Sequence, residues 1–283
     1  MISKKWILVA FFLLSPQAAF AEEDCHESEQ DLCLYRVEKG DVFQVYARNV
    51  SHHEISVEIE FQLENIRPEQ GRVQSHVVAP NSDSLLTRLH IVDPDRRASY
   101  EYAYRYQNGS VEAEHDDSVI YHLPYEPGQT FYVGQSCDTN GTHNGDSTRY
   151  AIDFIMPVGT PIYAAREGVV VDYYRLSNSG GISSLHLDKG NFIDIRHNDG
   201  TIANYHHLRL MGVRVEKGQF VKKGELIGRS GDTGFSTGPH LHFAVTKLRD
   251  VGDIQSIEVQ FQAKRGVLSC PRAGLALKSV DIE

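Results

Sequence analysis

Gly231-Asp-Thr-Gly-Phe-Ser-Thr-Gly-Pro-His-Leu-His-Phe243 closes on two imidazoles, His240 and His242, at positions i and i+2. In a strand, alternation places both rings on one face and sends Leu241 and Phe243 to the other. The Gly, Ser and Thr residues ahead of them read as a loop that feeds the chain tightly into that strand. Two imidazoles on one face suit a metal site, a proton-transfer site, or both. A bare His-x-His is more often a pair of surface residues, so its meaning rests on partners elsewhere in the chain.

The preceding hundred residues have the pattern of antiparallel strands. Pro157-Val-Gly-Thr-Pro161 separates two apolar runs, and Glu167-Gly168 separates another pair. Phe192–His197 and Ile202–Leu208 flank Asn198-Asp-Gly200, a hairpin-type turn. Val213–Gly218 and Val221–Gly228 repeat a Val–Lys–Gly pattern. That repeat also echoes lipoyl and biotinyl carrier barrels, a reading that would leave the histidines unexplained.

Taken together, His143, Asp153, the Pro-x-Gly-Thr-Pro turn, Tyr205-x-His207-Leu208 and Ser236-Thr-Gly-Pro-His240-Leu-His242-Phe243 resemble the LytM/lysostaphin family of zinc endopeptidases. The resemblance runs from about Thr142 to Phe243 and implies an all-β fold, an antiparallel catalytic domain with a narrow groove. It implies one Zn2+ held by His143, Asp153 and His242, with His207 and His240 as the catalytic histidines. The chemistry agrees with the donor types. Three nitrogen and oxygen ligands leave a tetrahedral zinc open to water, and zinc lowers that water's pKa from about 15.7 to about 7. Neutral imidazoles can then accept the proton or hold the developing oxyanion. The sequence has no His-Glu-x-x-His helix motif, so the histidines must carry the proton work.

Two departures stand out. In most family members the first histidine lies four residues before the aspartate, where this chain has Arg149. The nearest upstream imidazole is His143, so Asn144–Thr148 reads as an insertion that bulges outward. Ala244 stands where many relatives carry Glu, on the His240/His242 face. Of the remaining histidines, alternation sends His206 away from His207 to an exposed position, and His197 is a loop residue that could line the groove.

The first half reads as a small β-sandwich-like module. Ile55, Val57, Ile59, Phe61 and Leu63 alternate with polar residues, as in a half-buried strand. Its histidines (His52, His53, His76, His90, His115) have no ligand spacing and read as solvated surface. Asn49-Val-Ser51 matches a glycosylation triplet, a weak signal by itself. Leu123–Gly128 reads as the linker out of the module.

At the start, Lys4 and Lys5, an apolar run from Trp6 to Leu14, and Ala19-Phe20-Ala21 form a secretory signal pattern, too short for a comfortable membrane span. The expected divisions are a leader at 1–21, the β module at 22–128, the peptidase domain at 129–249, and a C-terminal extension at 250–283 packing on that domain. Two of the 28 basic groups lie in the leader, so the mature balance against 38 acidic groups is about −12. With no basic run, that excludes nucleic acid as an expected partner. Four cysteines fit an oxidising compartment. They allow three pairings, of which Cys25–Cys33 with Cys137–Cys270 is favoured. The function expected is an exported zinc metalloendopeptidase that cuts peptidoglycan cross-link or stem peptides, periplasmic or, second, extracellular. The alternative is a non-catalytic groove that binds a cell-wall hydrolase or a glycan strand.

Overall fold

The computed structural model describes residues 5–7, 21–23, 31–137 and 141–281. The signal-peptide expectation therefore falls almost entirely outside the described residues. Among these residues the chain is strand and turn, with one 3-10 turn at Ser184–His186 and no helix long and apolar enough to cross a membrane. The chain divides into two compact units, residues 1–112 with 250–253, and residues 113–249 with 254–283.

The first unit is a sandwich of two antiparallel sheets. β1 (Leu32–Lys39), β2 (Val42–Asn49), β4 (Ile66–Pro68) and β6 (Ser82–Ile91) build one; β3 (Ile55–Glu64), β5 (Val73–Val78) and β7 (Ser99–Asn108) build the other. Residues 21–23 and 5–7 add short strands to their edges. The alternating residues of β3 behave as their pattern predicts. Ile55, Val57, Ile59 and Phe61 are buried against Leu32, Leu34, Val45 and Ala47 of the facing sheet. One surface expectation fails here, and the weak glycosylation triplet has a structural role. His53 is buried at 2% exposure. Asn49 is also buried, its Nδ2 donating to the carbonyls of His53, Val78 and Ala79, so the Asn-Val-Ser triplet is a structural turn and not an exposed acceptor.

The second unit is organised by a nine-stranded sheet. Its strands are β9 (Thr130–Gln135), β10 (Ile152–Ile155), β12 (Gly168–Tyr174), β13 (Asn191–Arg196), β14 (Ile202–Leu208), β15 (Phe220–Val221), β17 (His240–Asp250), β18 (Asp253–Ile257) and β21 (Ala276–Lys278). The spatial order is β15-β12-β13-β14-β17-β10-β9-β21, with β18 beside β17. β11 (Pro161–Tyr163) pairs with β16 (Leu226–Arg229) apart from it. One face of the large sheet is core. Ile193, Tyr205, Phe243 and Ile152 lie directly opposite one another across four strands, all at 2% exposure or less.

The expected linker belongs to this core. β8 (Ile120–His122) pairs in parallel with β19 (Gln260–Ala263), which continues into β20 (Gly266–Leu268). Tyr121, Leu123 and Tyr125 are fully buried, and Tyr125 donates to the Leu277 carbonyl at 2.9 Å. The boundary is near residue 112, not 128. Pro124, Pro127 and Gly128 gave the stretch a linker's composition, while its alternating large residues are those of a buried extended segment. Cys137 and Cys270 are joined by a disulfide. Cys33 is also disulfide-bonded, and Cys25 lies outside the described residues.

Candidate metal centre

β17 begins at His240. The loop before it is tight for a steric reason: a Cβ on Gly231 would stand 2.3 Å from the Arg209 backbone nitrogen, and Gly234 holds a φ of +83°. Leu241 and Phe243 enter the core, and His240 and His242 face the other way. Across the strand, Asp153 of β10 lies opposite His242, so the register delivers a carboxylate to the imidazole.

The third group arrives from a loop. His143 is 6% exposed, and its Nε2 is 3.3 Å from Asp153 Oδ1. His242 Nδ1 is 2.9 Å from the same oxygen. The insertion closes on itself, with Gly145 O accepting from Thr148 N at 3.0 Å and Arg149 N at 2.8 Å. Arg149 is exposed beside the Tyr150 ring and takes no part. The ten-residue gap between His143 and Asp153 is therefore bridged by a turn.

The donor atoms of His143, Asp153 and His242 lie within 4.8 Å of one another. Their outer contacts orient them. His143 Nδ1–H donates to the Ala151 carbonyl at 3.1 Å, which turns Nε2 towards the carboxylate. Gln135 Nε2 donates to Asp153 Oδ2 at 3.1 Å, and Gln135 Oε1 accepts from Thr142 N at 2.8 Å. One side chain thus holds the carboxylate and the residue before His143, the arrangement that fixes metal ligands. No sequence signal marks Gln135 beyond its place on an edge of the motif. Burial by itself would raise the Asp153 carboxyl, but hydrogen bonds from His143 and His242 hold it well below the usual carboxylate range. The His242 ring is lowered chiefly by burial. Two neutral imidazoles and one carboxylate are a donor set that fits zinc.

His207 and His240 join this centre. Their ring centroids are 4.6 Å apart, and His240 Nε2 is 3.8 Å from Asp153 Oδ1. His207 Nδ1–H donates to the Thr233 carbonyl at 2.7 Å, and His240 Nδ1–H to the Gly238 carbonyl at 2.8 Å. Both rings therefore turn Nε2 towards the cleft. Burial, with the charge of His240, pushes His207 down to about 3, which keeps its ring neutral. All five residues line one cleft of about 650 Å³, walled also by Ile155, Leu187 and the Phe235–Pro239 loop.

Two histidine expectations are corrected. His206 does not turn away. A bulge in the β13–β14 ladder and a φ of +62° at His207 break the alternation, and His206 lies directly opposite His242 with ring centroids 5.9 Å apart. His197 does not line the groove. It is 1% exposed, its Nδ1–H donates to the Glu167 carbonyl at 2.7 Å, and burial lowers it to about 4. Ala244 sits on the site face opposite Asn204 and is buried.

The model for Peptidase family M23 matches residues 147–254, starting just beyond His143. Peptidoglycan DD-endopeptidase ShyA of Vibrio cholerae is 41% identical over 101 residues, 36% of this chain and 19% of that protein. Lysostaphin of Staphylococcus staphylolyticus is 44% identical over 95 residues, 33% of this chain and 18% of that protein. The solved catalytic domain of lysostaphin from Staphylococcus simulans is 32% identical, covering 50% of this chain and 95% of that one with a TM-score of 0.31. The chain spans less than a quarter of the length of the curated relatives it matches.

Proposed function

We propose that this chain, whose residues 147–254 match the model for peptidase family M23, is an exported zinc endopeptidase cutting peptide bonds in peptidoglycan cross-links or stem peptides. The observation that carries the reading is the convergence of His143, Asp153 and His242 beside two further imidazoles in one cleft. The relatives that match about a third of this chain include enzymes named as peptidoglycan endopeptidases. The leader-like start and the Cys137–Cys270 bridge support export to an oxidising compartment.

Zinc held by two imidazoles and a carboxylate supplies Lewis acidity towards a carbonyl and acidifies water. The protein supplies the rest. His207 offers a neutral Nε2 to the cleft and can accept a proton there. His240, anchored through Nδ1–H, lies beside it and can share the transfer or stabilise developing charge on the scissile oxygen. Gln135 and the Ala151 carbonyl hold Asp153 and His143 in place, so little reorganisation is needed during the reaction.

The test is digestion of purified peptidoglycan with and without a chelator, followed by muropeptide analysis. Chelator-sensitive release of peptide-bond products is expected. A folded, zinc-loaded protein that releases none refutes the reading.

A further inference from the structure

The corrected position of His206 exposes a continuous rung of side chains on the open face of the large sheet. Gln135, Asp153, His242, His206, Phe192 and Tyr174 lie directly opposite one another across six successive strands. Residues so paired project from the same face. The first three belong to the metal centre. The last two are an aromatic pair at the far end, with Tyr174 43% exposed. His206 joins the halves, its ring centroid 5.9 Å from His242 and 5.4 Å from Phe192.

A second cavity, of about 510 Å³, opens at the aromatic end, lined by Tyr174, Phe192 and the exposed Asp188 and Lys189. Asp172 also lines it, held by Lys217 at 2.7 Å. Flat rings flanked by carboxylate and ammonium groups match one chemistry well. A pyranose packs its C–H face on an aromatic ring while its hydroxyl and acetamido groups take hydrogen bonds at the edge. The chain between the cavities is short: Leu187 lines the metal cleft, and Asp188 lines the second cavity.

The spacing favours one occupant. Tyr174 and His242 are three strands apart, about 14 Å at about 4.8 Å per strand. An extended peptide of four residues covers about 13 Å. A peptide joined to a sugar can therefore reach the metal centre while its sugar rests on the aromatic pair.

We infer that Tyr174 and Phe192, with Asp188 and Lys189 at the edge, form a saccharide subsite for the N-acetylated glycan of the substrate. This rests on the proposed wall-peptide function, but binding can be measured apart from cleavage. The full-length zinc-loaded protein is titrated with tri-N-acetylchitotriose by calorimetry. Saturable binding is expected, weakened about tenfold in Tyr174→Ala and retained in Tyr174→Trp. No saturable binding, or undiminished binding in Tyr174→Ala, overturns the subsite. In cleavage assays, the ratio of kcat/KM on glycan-bearing to glycan-free cross-linked dimers falls about tenfold in Tyr174→Ala. An equal fall on both substrates overturns the inference. Sugar binding without cleavage of any wall counts against the peptidase reading and for the subsite.

Discussion

Replacing Gln135 by alanine removes two bonds that meet at the metal centre. Its Nε2 donates to Asp153 Oδ2 at 3.1 Å, and its Oε1 accepts from Thr142 N at 2.8 Å, next to His143. The first goes to a charged acceptor and is worth roughly 1.5–3 kcal/mol; the second is worth roughly 0.5–1.5 kcal/mol. Gln135 is half-buried, so water can replace part of both. Together they come to roughly 2–4.5 kcal/mol, and replacement by water brings the expected loss down to about 1.4–2.7 kcal/mol, or about 10–100-fold in zinc affinity. The assay is competition against a chromophoric chelator at fixed pH, with circular dichroism confirming an intact fold. Gln135→Glu should be worse, because a second carboxylate beside Asp153 repels it. An unchanged zinc Kd in folded Gln135→Ala would refute the argument that this side chain positions two ligands.

Other outcomes follow from the same contacts. His207→Ala should lower cleavage by about 10²–10⁴-fold with zinc content retained; loss of zinc from that variant would assign His207 to the ligand set. The buried His197 titrates at about 4, against 6.5 as its unperturbed value. The unfolded chain therefore takes up the proton first as pH falls, so the stability tied to neutral His197 is complete above pH 6.5 and is lost between there and about pH 4. The loss is about 3 kcal/mol, and His197→Gln should flatten the urea-unfolding profile in that window. An unchanged slope would contradict the assignment. The Cys137–Cys270 bridge spans 133 residues. Replacing both by serine should cost about 4–5 kcal/mol on the chain-entropy account, read as a shift in urea midpoint, and a change under about 1 kcal/mol would contradict it.

Much of the second unit was legible because its motifs are periodic. The alternation of His240-Leu241-His242-Phe243 predicts which side chains reach the core, and the structure places Leu241 and Phe243 there. The same rule failed at Tyr205-His206-His207. Period-two reasoning assumes an unbroken ladder, and a bulge with a left-handed residue at His207 turns both imidazoles to one face. Turn composition misled in a related way at Leu123–Gly128, where prolines and a glycine share a stretch with residues that fill the core. Gln135 was invisible because its role is set by register: its strand neighbour is eighteen positions away, and no spacing rule links them. His143 was found from its residue type, while the turn that brings it to Asp153 depends on backbone bonds from Gly145 that composition does not encode.

The ligand set His143, Asp153 and His242 is the centre of the account, and His143, which precedes the family match, is its most exposed member to disproof. Metal analysis of the purified full-length chain beside His143→Ala tests it most directly. The account predicts about one zinc per wild-type chain and a near-complete loss in a folded His143→Ala. Stoichiometric zinc retained in His143→Ala, or a folded wild-type chain that takes up none, would contradict it.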